Sequence, residues 1–260
     1  MSDAAVLVSR RDFVCEITLN RPEQRNSMAP ELLEAFQQVI DRVKEDREIR
    51  CVIITGSGAN FCAGADFRSA ILDRRGQLPH EASFEIYRPF LTILDVRVPV
   101  IAAMNGHAIG GGFGLGLVCD LRVANRDARY GANFARLGLH SGMAISYLLP
   151  RIAGVPRAAE LLFTGRVFSG AQAAEMGIAN HAVAGDEVLA RSRALADEIA
   201  ACAPVAVQML KRSLYRGLQW DPKSAGEWEA QLQSRTFEMA DAKEGVDALL
   251  AKREPSFRGV

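Results

Sequence analysis

The sequence has 260 residues, 49% of them apolar and 24% charged, enough for one large domain or for a core with a smaller appendage. Its 31 basic and 31 acidic side chains cancel, which argues against a global pull toward nucleic acid or an anionic membrane. The five cysteines are odd in number and scattered, with no CxxC pair. They speak against a secreted disulfide framework or a zinc site and for buried, reduced thiols in a cytoplasmic protein.

The opening "MSDAAVLVSRRD" lacks the basic start and long apolar core of a signal peptide. Residues 4–9 and 13–19 read as two short strands around a charged turn, followed by the polar loop "NRPEQRNSMAP". Over 31–45, Leu32, Phe36, Val39, Ile40 and Val43 recur at helical spacing and predict an amphipathic helix. "CVIITG" (51–56) is a continuous apolar run rich in β-branched residues, the pattern of a strand buried on both faces. A glycine-rich loop follows. Residues 68–80 read as a mobile surface segment, 82–95 as a helix and 99–106 as a second buried strand.

Residues 98–118 are uncharged and long enough to span a bilayer, but Pro99, Asn105, His107 and several glycines interrupt them. A strand, a loop and a glycine-led helix account for them better. Further on, 120–125 and 178–183 read as strands and 143–153, 156–164 and 169–177 as helices. From about 186 the pattern is helical throughout, over 186–201, 204–217, 223–239 and 241–252. The expected organisation is a core over 1–195 with a helical subdomain over 196–260.

Two segments share one layout of buried strand, glycine-rich turn and helix start: "ITGSGANFCAGADF" (54–67) and "AMNGHAIGGGFGLG" (103–116). A helix start offers N–H groups without internal acceptors, and its dipole favours negative charge. Neither segment carries a G-x-G-x-x-G dinucleotide fingerprint in register after its strand, and no phosphate-binding G-x-x-x-x-G-K-[ST] occurs. Spacing alone leaves two readings open. One N–H from each loop could meet at a single oxygen as it gains charge, or the glycines could simply permit tight helix–sheet packing.

Those two segments, with "LLFTGRVFSGAQAAEMGIANHAV" and the ending "KREPSF", resemble the enoyl-CoA hydratase/isomerase (crotonase) superfamily over nearly the whole chain. The resemblance implies an α/β fold, a spiral of repeated β-β-α units with a helical C-terminal subdomain that closes the acyl-CoA site and builds homotrimers or homohexamers. It implies an acyl-CoA thioester substrate, with coenzyme A as part of that substrate and no other cofactor, metal, nucleic acid or membrane partner. The two oxyanion donors map to the N–H groups of Ala65 and Gly111. Ala63, Asp66, Phe67, Gly110 and Phe134 are implied around the substrate, and Arg25, Lys252 and Arg258 as cations for the coenzyme A phosphates.

The sequence departs from the family where proton chemistry is expected. Hydratases of the family carry a glutamate two residues after the glycine triplet, where this chain has Gly114. A second glutamate maps to Phe134 in "YGANFARLGL". Many isomerases place a carboxylate after "LGL", and here that segment reads His140, Ser141, Gly142. Losing one such group typically forfeits ~10²–10⁴ in rate.

His140 is the leading substitute, since imidazole is the side chain whose ordinary titration falls near neutrality. The competing reading is a local hydrogen bond at a helix start. Ser141 reads as the cap of the helix from about 143, and Asp66 as another cap. His80 and Glu85 lie beside the expected acyl wall, whereas His107 and His181 read as packing residues. Two functions are therefore expected: a non-standard lyase or isomerase acting through an enolate, or a non-catalytic acyl-CoA binder on the same fold.

Overall fold

The structure is a computed structural model and describes residues 4–65 and 78–260. Its chain winds through strand–strand–helix turns. The first holds β1 (Val6–Arg11), β2 (Val14–Leu19) and α1 (Pro30–Glu45). The second holds β3 (Cys51–Gly56), β4 (Asn60–Cys62) and α2 (Pro79–Leu91). The third holds β5 (Val100–Met104), β6 (His107–Ile109) and α3 (Gly111–Val118). In the fourth, β7 (Leu121–Asn125) and β8 (Arg129–Gly131) lead into a single 3₁₀ turn over 133–137. After these come α4 (Ile145–Ala153), α5 (Val155–Thr164), β9 (Phe168–Ser169), α6 (Gly170–Glu175), β10 (His181–Val183) and α7 (Val188–Ala200). Last are α8 (Pro204–Gly217), α9 (Pro222–Phe237) and α10 (Ala240–Ala251).

Both strands of the first turn join a large sheet, and each of the next three turns gives one strand to that sheet and one to a smaller sheet. The large sheet runs β1-β2-β3-β5-β7-β10 and is parallel apart from the β1–β2 hairpin. The small sheet runs β4-β6-β8-β9, with β4, β6 and β8 parallel. The continuous apolar runs of β3 and β5 are explained by burial on both faces. Val52 and Ile54 of β3, with Val100, Ala102 and Met104 of β5, join the core under α1. The alternate residues Cys51, Ile53, Ile101 and Ala103 pack against Val188, Ala196 and Ala200 of α7. Leu32, Phe36, Val39, Ile40 and Val43 of α1 are buried as their spacing predicts, and Phe36 meets Phe90 of α2 edge-on at 4.8 Å. Fully burying a side chain of this size contributes about 1.5–3 kcal/mol.

Helix α7 is tied to β2 by Arg193, whose Nε and Nη2 donate to the two oxygens of the buried Glu16 carboxylate at 2.7 Å each. The expected boundary at 195 falls inside this helix, and α7 packs with the core rather than with the tail. Helix α8 is anchored at the N-terminal edge of the large sheet. Lys211 Nζ donates to Asp120 Oδ2 at 2.7 Å and to the Val98 carbonyl at 2.9 Å, and Tyr215 Oη donates to Asp120 Oδ1 at 2.6 Å. Burial, then the Asp120 charge, pushes the Tyr215 phenol well above its ordinary range.

Four short strands, β4, β6, β8 and β9, lie where the sequence reads as loop. Two or three residues are too few to show a period of two, and their pairing is set by the winding of the longer strands. His107 in β6 is exposed rather than packed, His181 in β10 is half-buried, and each has a polar neighbour. Arg191 lies 3.1 Å from His181 Nε2, and His107 Nδ1 accepts the Arg129 N–H at 2.9 Å. Among the described residues, no helix is long and apolar enough to cross a membrane, and no cluster of His, Cys, Asp or Glu could hold a metal ion.

Candidate functional site

The site lies at the C-terminal edge of the parallel strands, where β3 and β5 each give way to a polar turn and then to a strand of the small sheet. The turns are tied together by two side-chain amides, Asn26 buried and Asn105 half-buried. Asn26 donates to the carbonyls of Ser57 at 3.0 Å and Asn60 at 2.8 Å, and accepts the Arg21 N–H at 2.8 Å. Asn105 Oδ1 accepts the Gly56 N–H at 3.1 Å, and its Nδ2 donates to the Gly58 carbonyl at 3.0 Å. With the turns fixed, β4 and β6 run parallel with Cys62 opposite Ala108. Residues 63–65 after β4 and 110–111 after β6 therefore leave side by side.

Two glycines allow that approach. Gly64 has φ +85°, and a Cβ there would lie 2.5 Å from the Ile109 carbonyl oxygen and 3.2 Å from the Gly111 nitrogen. A Cβ on Gly112 would run into the carbonyl of Cys62. The Gly64 carbonyl accepts the Met28 N–H at 2.8 Å, and the Ala63 N–H donates to the Arg25 carbonyl at 3.0 Å. Within α3 the first internal bond is from the Gly114 N–H to the Gly110 carbonyl at 3.1 Å. The earlier amides of the helix have no internal acceptor. Neither the Ala65 nor the Gly111 N–H donates to another described group. Two open amides on adjacent segments, one at the positive end of a helix, can hold an oxygen that gains negative charge.

The far end of α3 is held as firmly. Arg122, 7% exposed, donates to the carbonyls of Cys119 and Ile178 at 2.6 Å each and to that of Asp120 at 3.3 Å. Its charge complements the negative end of the helix, while burial lowers its pKa from the usual value. Cys62 sits beside the site but is no nucleophile, because complete burial pushes its thiol up to about 12.

The positions that lack carboxylates are filled by apolar side chains. A Cβ on Gly114 would collide with the Met143 side chain and lie 3.3 Å from Ile145 Cδ1. Met143 is 1% exposed. Phe134 is also buried, with its Cζ 3.6 Å from where a Gly110 Cβ would stand. Met143 and Ala144 both take left-handed backbone, at φ 59° and 54°. That turn delays the helix expected from 143 until Ile145, with Ala144 at its N-cap and no side-chain cap. Ser141 consequently does not cap it.

His140 is exposed, and its Nδ1 lies 2.7 Å from the Ser141 carbonyl oxygen. A carbonyl only accepts, so Nδ1 carries the hydrogen and Nε2 keeps the lone pair in the neutral ring. His80 is exposed on α2, and Glu85 pairs with Arg88 at 2.8 Å.

The structure brings Arg25, Ala63, Ala65, Gly110, Gly111 and Phe134 into one neighbourhood. Arg25 is exposed on its loop, in left-handed backbone at φ 55°. Asp66 and Phe67, and most of the expected surface segment, lie outside the described residues. Lys252 caps the end of α10, and Arg258 lines a cavity of about 420 Å³ with Arg47, Arg50 and Arg97. That cavity abuts the start of β3, so within one chain Arg258 stands a strand length, about 20 Å, from the Arg25 loop. Three residues that sequence reasoning passed over belong to the neighbourhood: Met28 and Tyr87, which flank Gly111, and Met143.

Two sheets wound from β-β-α turns, with open amides where a glycine-led helix meets a second glycine loop, define the enoyl-CoA hydratase/isomerase class. The family model for enoyl-CoA hydratase/isomerase matches residues 9–260, and the chain belongs to that family. It is 39% identical to enoyl-CoA hydratase domain-containing protein 2, mitochondrial, of Bos taurus, over 95% of this chain and 84% of the relative. It is 35% identical to the enoyl-CoA hydratase EchA19 of Mycobacterium tuberculosis, over 97% and 96% of the two chains. The crystal structure of an enoyl-CoA hydratase from Bacillus anthracis superposes with a TM-score of 0.92 at 34% identity, over 98% of this chain and 100% of that one.

Proposed function

We propose that this protein binds an acyl-CoA thioester, holds its carbonyl oxygen between the N–H groups of Ala65 and Gly111, and stabilises the enolate formed there, with coenzyme A present only as part of the substrate. The observation that carries this reading is the β4–β6 pairing, which sets two amides without acceptors among the described residues on adjacent segments. Arg25 contributes a cation for the phosphates from the loop that bonds Ala63. His140 is the base, acting through Nε2.

The reaction is an isomerase- or lyase-type rearrangement of the enolate rather than addition of water. Met143 and Phe134 support this, because they present hydrocarbon where a hydratase would hold its water by two carboxylates. The exposed Leu210 and Leu214 on α8 and Leu218 just past its end, with Leu249 and Leu250 on α10, support assembly into a trimer or hexamer. A cytoplasmic setting suits the free cysteines.

The test is to incubate the protein with butyryl-CoA in D₂O and with crotonyl-, 3-hydroxybutyryl- and acetoacetyl-CoA, and to follow each by mass spectrometry. Deuterium should enter the α-carbon of butyryl-CoA, and exchange should fail in His140→Ala while binding persists. Fast hydration of crotonyl-CoA would overturn the exclusion of water. Tight binding with neither exchange nor turnover would favour the acyl-CoA binder, a reading that the same apolar filling also supports.

A further inference from the structure

Among the described residues, the side chains nearest to Gly110, Gly111 and Gly114 are those of Met28, Tyr87, Asn133, Phe134, Met143 and Ile145, and of these Tyr87 carries a titratable proton. Its ring, half-buried on α2, is enclosed by two backbone positions that lack a side chain. A Cβ on Gly111 would stand 3.4 Å from Tyr87 Cε1, and one on Gly142 would stand 2.5 Å from Tyr87 Oη. The phenol therefore lies between the start of α3 and the loop that carries His140. An acyl group whose carbonyl oxygen accepts from the Gly111 N–H at about 3 Å runs along this ring edge.

From this placement we infer that Tyr87 is a catalytic residue, the proton donor to the carbon skeleton of the bound acyl group. The inference rests on the acyl-CoA reading above. A phenol O–H is a donor that can serve as a general acid. His140 Nε2 removes a proton from the α-carbon, and the C–H electron pair moves onto the carbonyl oxygen between the two amides. The oxygen pair then returns to re-form C=O. Carbon takes the Tyr87 hydroxyl proton, the His140 imidazolium releases its proton to solvent, and the phenolate takes one up from solvent. One proton leaves the substrate and one enters, and no oxidant or reductant takes part. Among the described residues, the charged or titratable groups nearby are Glu85 and Arg88 of α2, exposed and paired with each other, and His140 on the facing loop; α3 carries none.

Tyr87→Phe removes one oxygen and keeps the ring. Deuterium exchange into butyryl-CoA is expected to fall ~10²–10⁴-fold, with butyryl-CoA affinity by calorimetry and the thermal midpoint unchanged. Gly142→Ala keeps the phenol but pushes the ring aside, and exchange should fall about tenfold with affinity retained. Wild-type exchange in both variants would overturn the role of Tyr87 and leave the acyl-CoA reading standing. A Tyr87→Phe protein that loses affinity and exchange together would reduce Tyr87 to a wall of the pocket and overturn the inference. A wild-type protein that neither binds nor exchanges butyryl-CoA would remove the acyl-CoA reading itself, and the inference with it.

Discussion

The two edges of the large sheet are built on opposite principles. At the N-terminal edge polar groups are spent on one another. Asp120 accepts from Lys211, Tyr215 and the Val100 N–H, and Arg50 donates to the carbonyls of Ala200 and Phe257 while stacking on Phe13 at 3.8 Å. Arg97 closes the turn after α1 by donating to the carbonyls of Lys44 and Asp46. Beyond the C-terminal edge, after β4 and β6, the amides of Ala65 and Gly111 donate to no described group, between walls of Met28, Phe134 and Met143. A satisfied edge fixes the helical tail. An edge with open donors in apolar surroundings is set up for a ligand atom, since unmet donors there are costly until something accepts from them. Stability and chemistry should accordingly respond to different substitutions.

The largest effect is expected at the satisfied edge. Asp120→Ala leaves the Lys211 ammonium, 13% exposed, with only the Val98 carbonyl. Breaking a buried pair in this way costs about 3–5 kcal/mol, to be read from the urea midpoint. A loss below ~1 kcal/mol would show that this edge is no clamp.

At the open edge, Gly111→Ala drives a Cβ to 2.5 Å from Met28 Sδ, in backbone that alanine tolerates. Removing an oxyanion donor typically costs ~10²–10³ in rate, and a displaced one should approach the lower figure. α-Exchange should fall about 10²-fold, with the urea midpoint moved far less than by Asp120→Ala. Arg25→Ala should weaken coenzyme A binding about tenfold by calorimetry, an effect that shrinks as salt rises because the side chain is exposed.

The smallest effect concerns the tail. Hydrogen bonds from Arg253, then from the Ser256 N–H, hold the Glu244 carboxyl at about 2, well below its ordinary value. A depressed carboxylate stabilises the fold above its unfolded pKa and loses that contribution as pH falls toward about 2. Glu244→Gln should therefore reduce the acid sensitivity of the melting temperature between pH ~4.5 and 2 without touching exchange activity. An unchanged acid limb would mean that this pair contributes nothing there.

How much of this was legible in the sequence divides along the same line. The strands β3 and β5 and the helices α1 and α8 are plain from apolar runs and helical spacing, because burial writes itself into every residue of a long element. The β4–β6 pairing is not, although it is what sets Ala65 beside Gly111. A three-residue strand has no period to detect, and its register depends on side-chain amides such as Asn26 and Asn105, each indistinguishable in sequence from a loop residue. The glycines at 64 and 112 could be noticed but not interpreted, since their need for space comes from Ile109 and Cys62 across the joint.

The family resemblance supplied the proposed donor positions, Ala65 and Gly111, and pointed to Gly114 and Phe134 as places without a carboxylate. It could not show that Met143, through a left-handed turn at 143–144, occupies the volume beside Gly114. Nor could it single out Tyr87, which helical spacing alone marks as one more half-buried aromatic.

The claim on which the account depends is that the amides of Ala65 and Gly111 grip one thioester oxygen. Isotope-edited infrared spectroscopy of butyryl-CoA labelled with carbon-13 at the carbonyl measures that grip directly. Two hydrogen bonds to the oxygen weaken the C=O bond, so the labelled stretch should move to lower frequency on binding and move back in Gly111→Ala. A bound ligand whose carbonyl stretch stays at its solution frequency would contradict the account.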